Sequence, residues 1–302
     1  MNVAFIGLGN MGGPMACNVA CSDFDLSVFD LDDNKIDVVY STGAGAGRNV
    51  TRAASVAEAV RGADFIMTSL PSPKVIDAIA FGADGILENV PEGAVWIELS
   101  TNNLDIGRRI FKAGKEKGIA VLDAPVTGGV EGAAAGSLMV LTGGDEDAFA
   151  KSKPLLDVIG GEIVHLGKNG AGYVAKISQV VLCYLNSVAL SEALMLGVKG
   201  GVNADKMLKI IQGSTGASYV ADRYGPAILN GSYDPGFVLG LAHKDMALTL
   251  ELGEAVEATL PMCTQVENIY KLAVAEYGFD ANHLMAVKLL EEENGVCLRS
   301  TI

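Results

Sequence analysis

Three short stretches hold residue types that could do chemistry together. "GLGNMG" at 7–12 follows an apolar run and sets Gly7, Gly9 and Gly12 around Leu8, Asn10 and Met11. "PVTGG" at 125–129 puts the hydroxyl of Thr127 beside the adjacent Gly128 and Gly129. Lys176 sits in a run from Asn169 to Val198 whose only other charge is Glu192. In that order, the stretches suit a backbone that approaches phosphate, successive N–H groups that hold a carboxylate, and an amine that moves a proton.

The glycine stretch has the surroundings such a turn needs. A strand precedes it, a helix-compatible segment follows, and a second strand, "LSVFD", ends in Asp30, eighteen positions after Gly12. Gly7 permits the tight turn, Gly9 the approach of a pyrophosphate, and Gly12 the close seating of the helix on the strand. A tight turn that binds nothing is the competing reading. Asp30 would accept hydrogen bonds from a ribose, and Leu31-Asp32-Asp33-Asn34 offers no Arg to a 2′-phosphate. NAD is therefore expected in preference to NADP. "TSLPSP" at 68–73 follows another strand and either lies along the cofactor or is a proline-stiffened turn.

A lysine on a helix is ordinarily solvated. The uncharged surroundings of Lys176 argue instead for partial withdrawal from water, which eases proton release. Glu192, sixteen residues on, falls on roughly the opposite helix face. When a nicotinamide takes hydride from an alcohol carbon, the hydroxyl proton must go elsewhere. Lys176 can take it while the Thr127–Gly129 nest holds an acid group of the substrate.

These residues need a scaffold, and 302 residues exceed the usual size of one core. Apolar strand candidates are 3–6, 26–29, 65–69, 94–99, 119–122 and 138–142, with a further one at 162–166 after Gly160-Gly161. Helix-like stretches such as 55–61 and 105–117 lie between them. This alternation predicts a Rossmann-type α/β domain, doubly wound around a mostly parallel sheet. Beyond Gly167 the pattern turns helical: a long helix apolar on every side, then 204–212, 244–256 and 262–276. The expected domains are 1–164, binding the dinucleotide, and 165–302, an all-α substrate and oligomerisation domain opened by the long buried helix.

Composition narrows the partners. A net charge of −14 argues against nucleic acid and against an anionic membrane surface. The uncharged stretch 177–191 reads as too short and too polar to span a bilayer. The first 22 residues lack charge, but glycines interrupt them and no basic residue precedes them, so a secretory leader is not expected. Five cysteines without a framework suggest reduced thiols, and three scattered histidines complete no metal site. Cytoplasm is the expected location, although a processed organellar enzyme would look the same.

Taken together, "FIGLGNMGGPMACN", "LSTNN" at 99–103, "DAPVTGGVEGAAAGSL", "GAGYVAK" and "FVLGLAHKDMAL" at 237–248 resemble the ordered motifs of the β-hydroxyacid dehydrogenase family, over nearly the whole chain. The resemblance is closest to its 3-hydroxyisobutyrate dehydrogenase branch. It implies a Rossmann domain and a helical domain with the active site in the cleft between them, and assembly as a homodimer or homotetramer. It implies Lys176 as general acid/base and Thr127, Gly128 and Gly129 at the substrate carboxylate. Thr101 would lie near nicotinamide and substrate, Lys244 beside the cofactor, and Leu70 and Pro71 along the adenosine. Two positions depart from the family pattern. Gln179 and Val180 stand where asparagines are usual, and only Gln179 could still donate to a substrate oxygen. Leu104 replaces a common proline. The implied substrate is a small 3-hydroxy acid or its semialdehyde. Tartronate, succinic-semialdehyde, sulfolactaldehyde and serine-like substrates stay open. A phosphosugar acid is disfavoured because Arg223 is the only arginine of the second domain before Arg299. A non-catalytic nucleotide-binding module and an imine reductase are the rivals, both weakened by the presence of Lys176.

Overall fold

The structure, a computed structural model, describes residues 1–300. It divides into two compact units, Met1–Lys176 and the residues from Ile177 onward.

The first unit is built on six parallel strands: β1 (Asn2–Ile6), β2 (Asp25–Phe29), β3 (Val50–Arg52), β4 (Phe65–Thr68), β5 (Val95–Glu98) and β6 (Ala120–Asp123). Their order in the sheet is β3-β2-β1-β4-β5-β6, the doubly wound arrangement. Parallel sheets are covered on both faces, which is why β1, β4 and β5 are almost uninterrupted apolar runs. Successive side chains point to opposite faces. Val3, Phe5, Val95 and Ile97 join one core with Met15 and Val19 of the helix Gly12–Ala20. Ala4, Ile6, Ile66 and Trp96 join the other with Ile76, Ile86 and Ile110.

The structure corrects the expected sheet in two respects. The strands foreseen near 138–142 and 162–166 leave the main sheet. With β7 (Val126–Thr127) they form a second one, order β7-β8-β9, where β8 is Leu138–Thr142 and β9 is Gly160–His165. β7 runs antiparallel to β8, and β8 parallel to β9. The reason is visible at the end of β6, where Asp123 exchanges backbone hydrogen bonds with Gly143 and the chain turns onto a new layer. β3 and β7 were not foreseen, because three and two residues leave no alternation to detect.

The long helix Ala171–Lys199 begins within the first unit, and the division between the two compact units falls inside it. In the second unit, Leu190 and Leu194 join one core with Leu208, Val220 and Leu284, and Val181 and Tyr184 join another with Met246, Val266 and Tyr270. The helix is not apolar-buried on every side, however: Leu182 and Leu196 are 55% and 78% exposed. At 29 residues it is long and apolar enough to cross a membrane by length and composition alone. Helices at the core of a globular unit pass the same test, and this one contributes to two cores.

Candidate active site

The proposed site residues of the first unit gather at one edge of its sheet. Gly7 follows β1, Asp30 follows β2, Leu70 lies just past β4, Thr101 just past β5, and Thr127 past β6. This carboxyl edge is where open α/β sheets bind ligands.

The three glycines of the first turn have different reasons to be glycine. Gly7 has φ +91°, and a Cβ there would strike the Ser69 carbonyl; a Cβ on Gly12 would strike the Gly7 carbonyl. A Cβ on Gly9 would meet nothing within 4 Å. Internal packing therefore explains two of them, whereas the space above Gly9 is open, as a phosphate cradle requires. The helix Gly12–Ala20 starts at Met11 with no side chain capping it and no acid in its first turn, leaving its positive end to an anion. Asp30 is oriented toward this turn, accepting from the Leu8 N–H at 2.7 Å and the Asp32 N–H at 3.0 Å. The Lys35 ammonium lies 3.7 Å from it. These residues fit a dinucleotide. Leu70 lies against Gly7 and donates its N–H to the Ser100 hydroxyl at 2.8 Å; Pro71 is exposed. Asn10 is exposed, Met11 half-buried.

After β6, Pro125 leads into β7 and then Gly128 and Gly129, with φ of +131° and +69°. Both glycines are exposed and Thr127 is half-buried, so the nest is open to solvent. Thr101 is half-buried between two anchored neighbours. The Ser100 N–H donates to Glu98 Oε1 at 3.0 Å, and Asn103 caps the helix Leu104–Glu116 by accepting from the Ile106 N–H at 2.9 Å.

Lys176 is half-buried, one turn into its helix. What holds that first turn is a set of residues the sequence reading missed. Asp123 Oδ1 accepts from the Gly170 N–H at 2.8 Å, and Oδ2 from the N–H groups of Gly172 and Tyr173 at 2.8 and 3.2 Å. A Cβ on Gly172 would collide with the Leu141 and Asp123 carbonyls, so glycine lets the helix start press onto the end of β6. The Tyr173 hydroxyl donates to Glu98 Oε2 at 2.7 Å. Its ring stacks on Phe111 in space left by Gly107. Glu98, Asp123 and Thr68 share one register row across β4, β5 and β6, and all three are fully buried. Burial, outweighing the donors around it, pushes the Glu98 carboxyl up to about 7. Burial also raises Asp123, and burial followed by the Glu98 charge raises Tyr173 well above the usual phenol. The signal that could have found these residues is an acid closing an otherwise apolar strand, as in "VWIE" and "AVLD".

The remaining sequence candidates belong to the second unit. Gln179 follows Lys176 by one helical turn and is exposed; Val180 is half-buried. Lys244, on the helix Leu239–Ala255, lies 3.1 Å from Asp245, which accepts from the Tyr184 hydroxyl at 2.7 Å. Among the described residues no group of three His, Cys, Asp or Glu is placed to hold a metal ion.

Comparison with known proteins agrees with this architecture. Residues 2–167 match the NAD binding domain of 6-phosphogluconate dehydrogenase, and residues 170–290 the NAD-binding domain of NADP-dependent 3-hydroxyisobutyrate dehydrogenase. An NAD-dependent L-serine dehydrogenase of Pseudomonas aeruginosa is 34% identical over 300 residues, covering 97% of this chain and 99% of that protein. A 2-(hydroxymethyl)glutarate dehydrogenase of Eubacterium barkeri is 36% identical over 298 residues, covering 98% and 97%. The structure of Mycobacterium tuberculosis 3-hydroxyisobutyrate dehydrogenase with L-serine superposes with a TM-score of 0.86 at 29% identity, covering 96% of this chain and 98% of that one. A strand edge fit for a dinucleotide, a helical second unit and relatives matched over their full length place this chain in the β-hydroxyacid dehydrogenase family, among the 3-hydroxyisobutyrate dehydrogenase-like enzymes.

Proposed function

We propose that this dehydrogenase uses NAD to oxidise the terminal alcohol of a small 3-hydroxy acid to its semialdehyde, or runs the reverse reduction, with Lys176 as general acid/base. The observation that carries the reading is Asp123. One carboxylate at the end of β6 holds the three N–H groups that begin the Lys176 helix. Four residues further on, the same chain segment reaches Thr127 and the glycine nest. The proton-transferring amine and the carboxylate-binding nest are thus tied to one strand end.

NAD, when bound, supplies the hydride acceptor. The chain's own residues do the rest. The open backbone at Gly9 and the uncapped start of the helix Gly12–Ala20 hold the pyrophosphate, with Leu8, Asn10 and Met11 forming the turn. Asp30, fixed by two backbone N–H groups, accepts from the adenine ribose. A 2′-phosphate there would face Asp30, Asp32 and Asp33, and the nearby Lys35 already lies beside two of these carboxylates, at 3.7 and 4.0 Å. This favours NAD over NADP. Leu70 and Pro71 border the adenosine and Thr101 the nicotinamide. Thr127, Gly128 and Gly129 grip the substrate carboxylate, Gln179 contacts its variable part, and Lys176 Nζ takes the hydroxyl proton or returns it.

The names of the relatives support the substrate class. L-serine, 2-(hydroxymethyl)glutarate and 3-hydroxyisobutyrate share the unit HOCH₂–CH(R)–COO⁻ and differ only in R. Free thiols at all five cysteines suit a reducing compartment such as cytoplasm. The exposed Leu182 and Leu196 on the long helix suit a homo-oligomer.

The test is Lys176→Ala, assayed with NAD against 3-hydroxyisobutyrate, L-serine and 2-(hydroxymethyl)glutarate. Turnover should fall by about 10²–10⁴, the worth of positioned acid–base catalysis, with the affinity for NAD unchanged. Turnover within a few-fold of the parent would remove the lysine from the mechanism.

A further inference from the structure

We propose that Glu98 and Tyr173 are positioning residues that brace both sides of the reaction site, Glu98 fixing the Thr101 loop through Ser100 and the Lys176 helix through Tyr173. The inference rests on the reading of Lys176 as the proton-transferring group. Neither Glu98 nor Tyr173 reaches the site itself: they are 0% and 1% exposed. Their contacts lead to it in two directions. Glu98 Oε1 accepts from the Ser100 N–H at 3.0 Å, and the Ser100 hydroxyl accepts from the Leu70 N–H at 2.8 Å, so this oxygen organises the ends of β4 and β5. Glu98 Oε2 accepts from the Tyr173 hydroxyl at 2.7 Å, three residues before Lys176 and therefore on a neighbouring part of the helix face. The tyrosine has no freedom to leave, since Phe111 stacks on its ring and Gly107 gives it a fitted slot.

A merely structural role would be served better by apolar residues. Replacing a buried polar pair with well-packed hydrophobic residues is often neutral or stabilising, so such a pair points to specificity of arrangement. The surroundings of Glu98 make the brace sensitive to protonation. Everything directed at it donates: the Tyr173 and Thr68 hydroxyls and the Ser100 N–H. Burial nevertheless outweighs these donors, so the folded pocket favours the protonated carboxyl and ionisation strains the brace. The ionisable groups facing it are Asp123 from β6 and Tyr173 from the long helix; β4 presents only Thr68, which is held in turn by the Trp96 indole N–H at 2.9 Å. The Asn102 amide faces the Tyr173 hydroxyl as a donor, its own oxygen accepting from the Asn103 N–H at 2.9 Å. Opening the brace would return Glu98 to its ordinary ionisation range, so the brace loosens as pH rises from 6 to 8.

Tyr173→Phe and Glu98→Gln test this in the full chain, because each keeps size and shape. Amide hydrogen exchange of the segment 168–180, corrected for intrinsic rates, should show parent protection falling several-fold between pH 6 and pH 8. Both variants should show lower protection that is equal at the two pH values. With NAD and 3-hydroxyisobutyrate or L-serine, kcat should fall about 10- to 100-fold, the scale of a small misplacement of a catalytic group, while KM for NAD stays within twofold. The kcat/KM profile between pH 6 and pH 8 should change shape in both variants. Variants with parental exchange, kcat and pH profile would overturn the proposal. Lys176→Ala separates it from the reading it rests on: that change should lower turnover by about 10²–10⁴ and keep the parental exchange pattern. Retained turnover there would sink the acid–base assignment, while the exchange comparison would still decide the brace.

Discussion

Glu98→Gln also changes stability, in a way the structure lets one calculate. The carboxyl is fully buried, and its ionisation moves from an ordinary 4.5 to about 7, chiefly through burial. A group whose folded value is raised stabilises the fold fully below its unfolded value and loses that contribution as pH climbs through the folded one. The window is therefore pH 4.5–7. At about 1.4 kcal/mol per pH unit the loss amounts to roughly 3 kcal/mol. Glutamine does not titrate, so the variant should gain roughly 3 kcal/mol on the parent between pH 4.5 and 7 and hold a constant difference above. Asp123 is present in both proteins, so its own raised proton affinity largely cancels. Urea unfolding read by tryptophan fluorescence is the assay. The chain has one tryptophan, Trp96, which is buried two residues from Glu98 and hydrogen-bonded to Thr68, so the signal reports the unit concerned. With a slope of about 2 kcal/mol per molar urea, the relative midpoint should move by roughly 1.5 M across the window. A fixed offset between the two proteins from pH 4.5 to 8 would refute the reasoning.

Three further outcomes are expected. Asp30→Ala should narrow the preference for NAD over NADP, measured as the ratio of kcat/KM values; a parent that prefers NADP would overturn the assignment. Gly9→Ala should fold with parental stability and bind NAD more than tenfold more weakly by calorimetry, whereas Gly12→Ala should be destabilised, because its Cβ would meet the Gly7 carbonyl. Equal behaviour of the two would contradict the open cradle. Thr127→Ala should raise KM for the acid substrate with little change for NAD, and a defect confined to the cofactor would argue against the nest.

The fold class was readable from the chain because its cues are local. Four apolar residues ahead of Gly7, the spacing to Gly12 and the acid at Asp30 all lie within one βαβ unit, where neighbours in sequence are neighbours in space. Lys176 stood out for a similar reason, as a charge within an apolar run. The brace was not readable. Tyr173 and Glu98 are 75 residues apart, and their meeting depends on strand register and on where the long helix starts. An acid at the end of an apolar strand looks like the residue that stops the strand. The second sheet was missed because sequence alternation says that strands follow one another, not which layer they join. The exposure of Leu182 and Leu196 shows the limit of reading burial from hydrophobicity, since one chain cannot cover every apolar side of a helix this long.

The nest at Thr127 owes its shape to β8, not to the six parallel strands: Val126 and Thr127 are registered against Val140 and Met139. The turns that fit a dinucleotide and the proposed carboxylate nest thus stand on separate sheets, joined at the Asp123–Gly143 seam. On the proposed reading, mutations that reshape the nest load this small accessory ribbon and spare the six-stranded sheet. A lineage built this way can exchange one short acid for another without relearning how to hold its nucleotide.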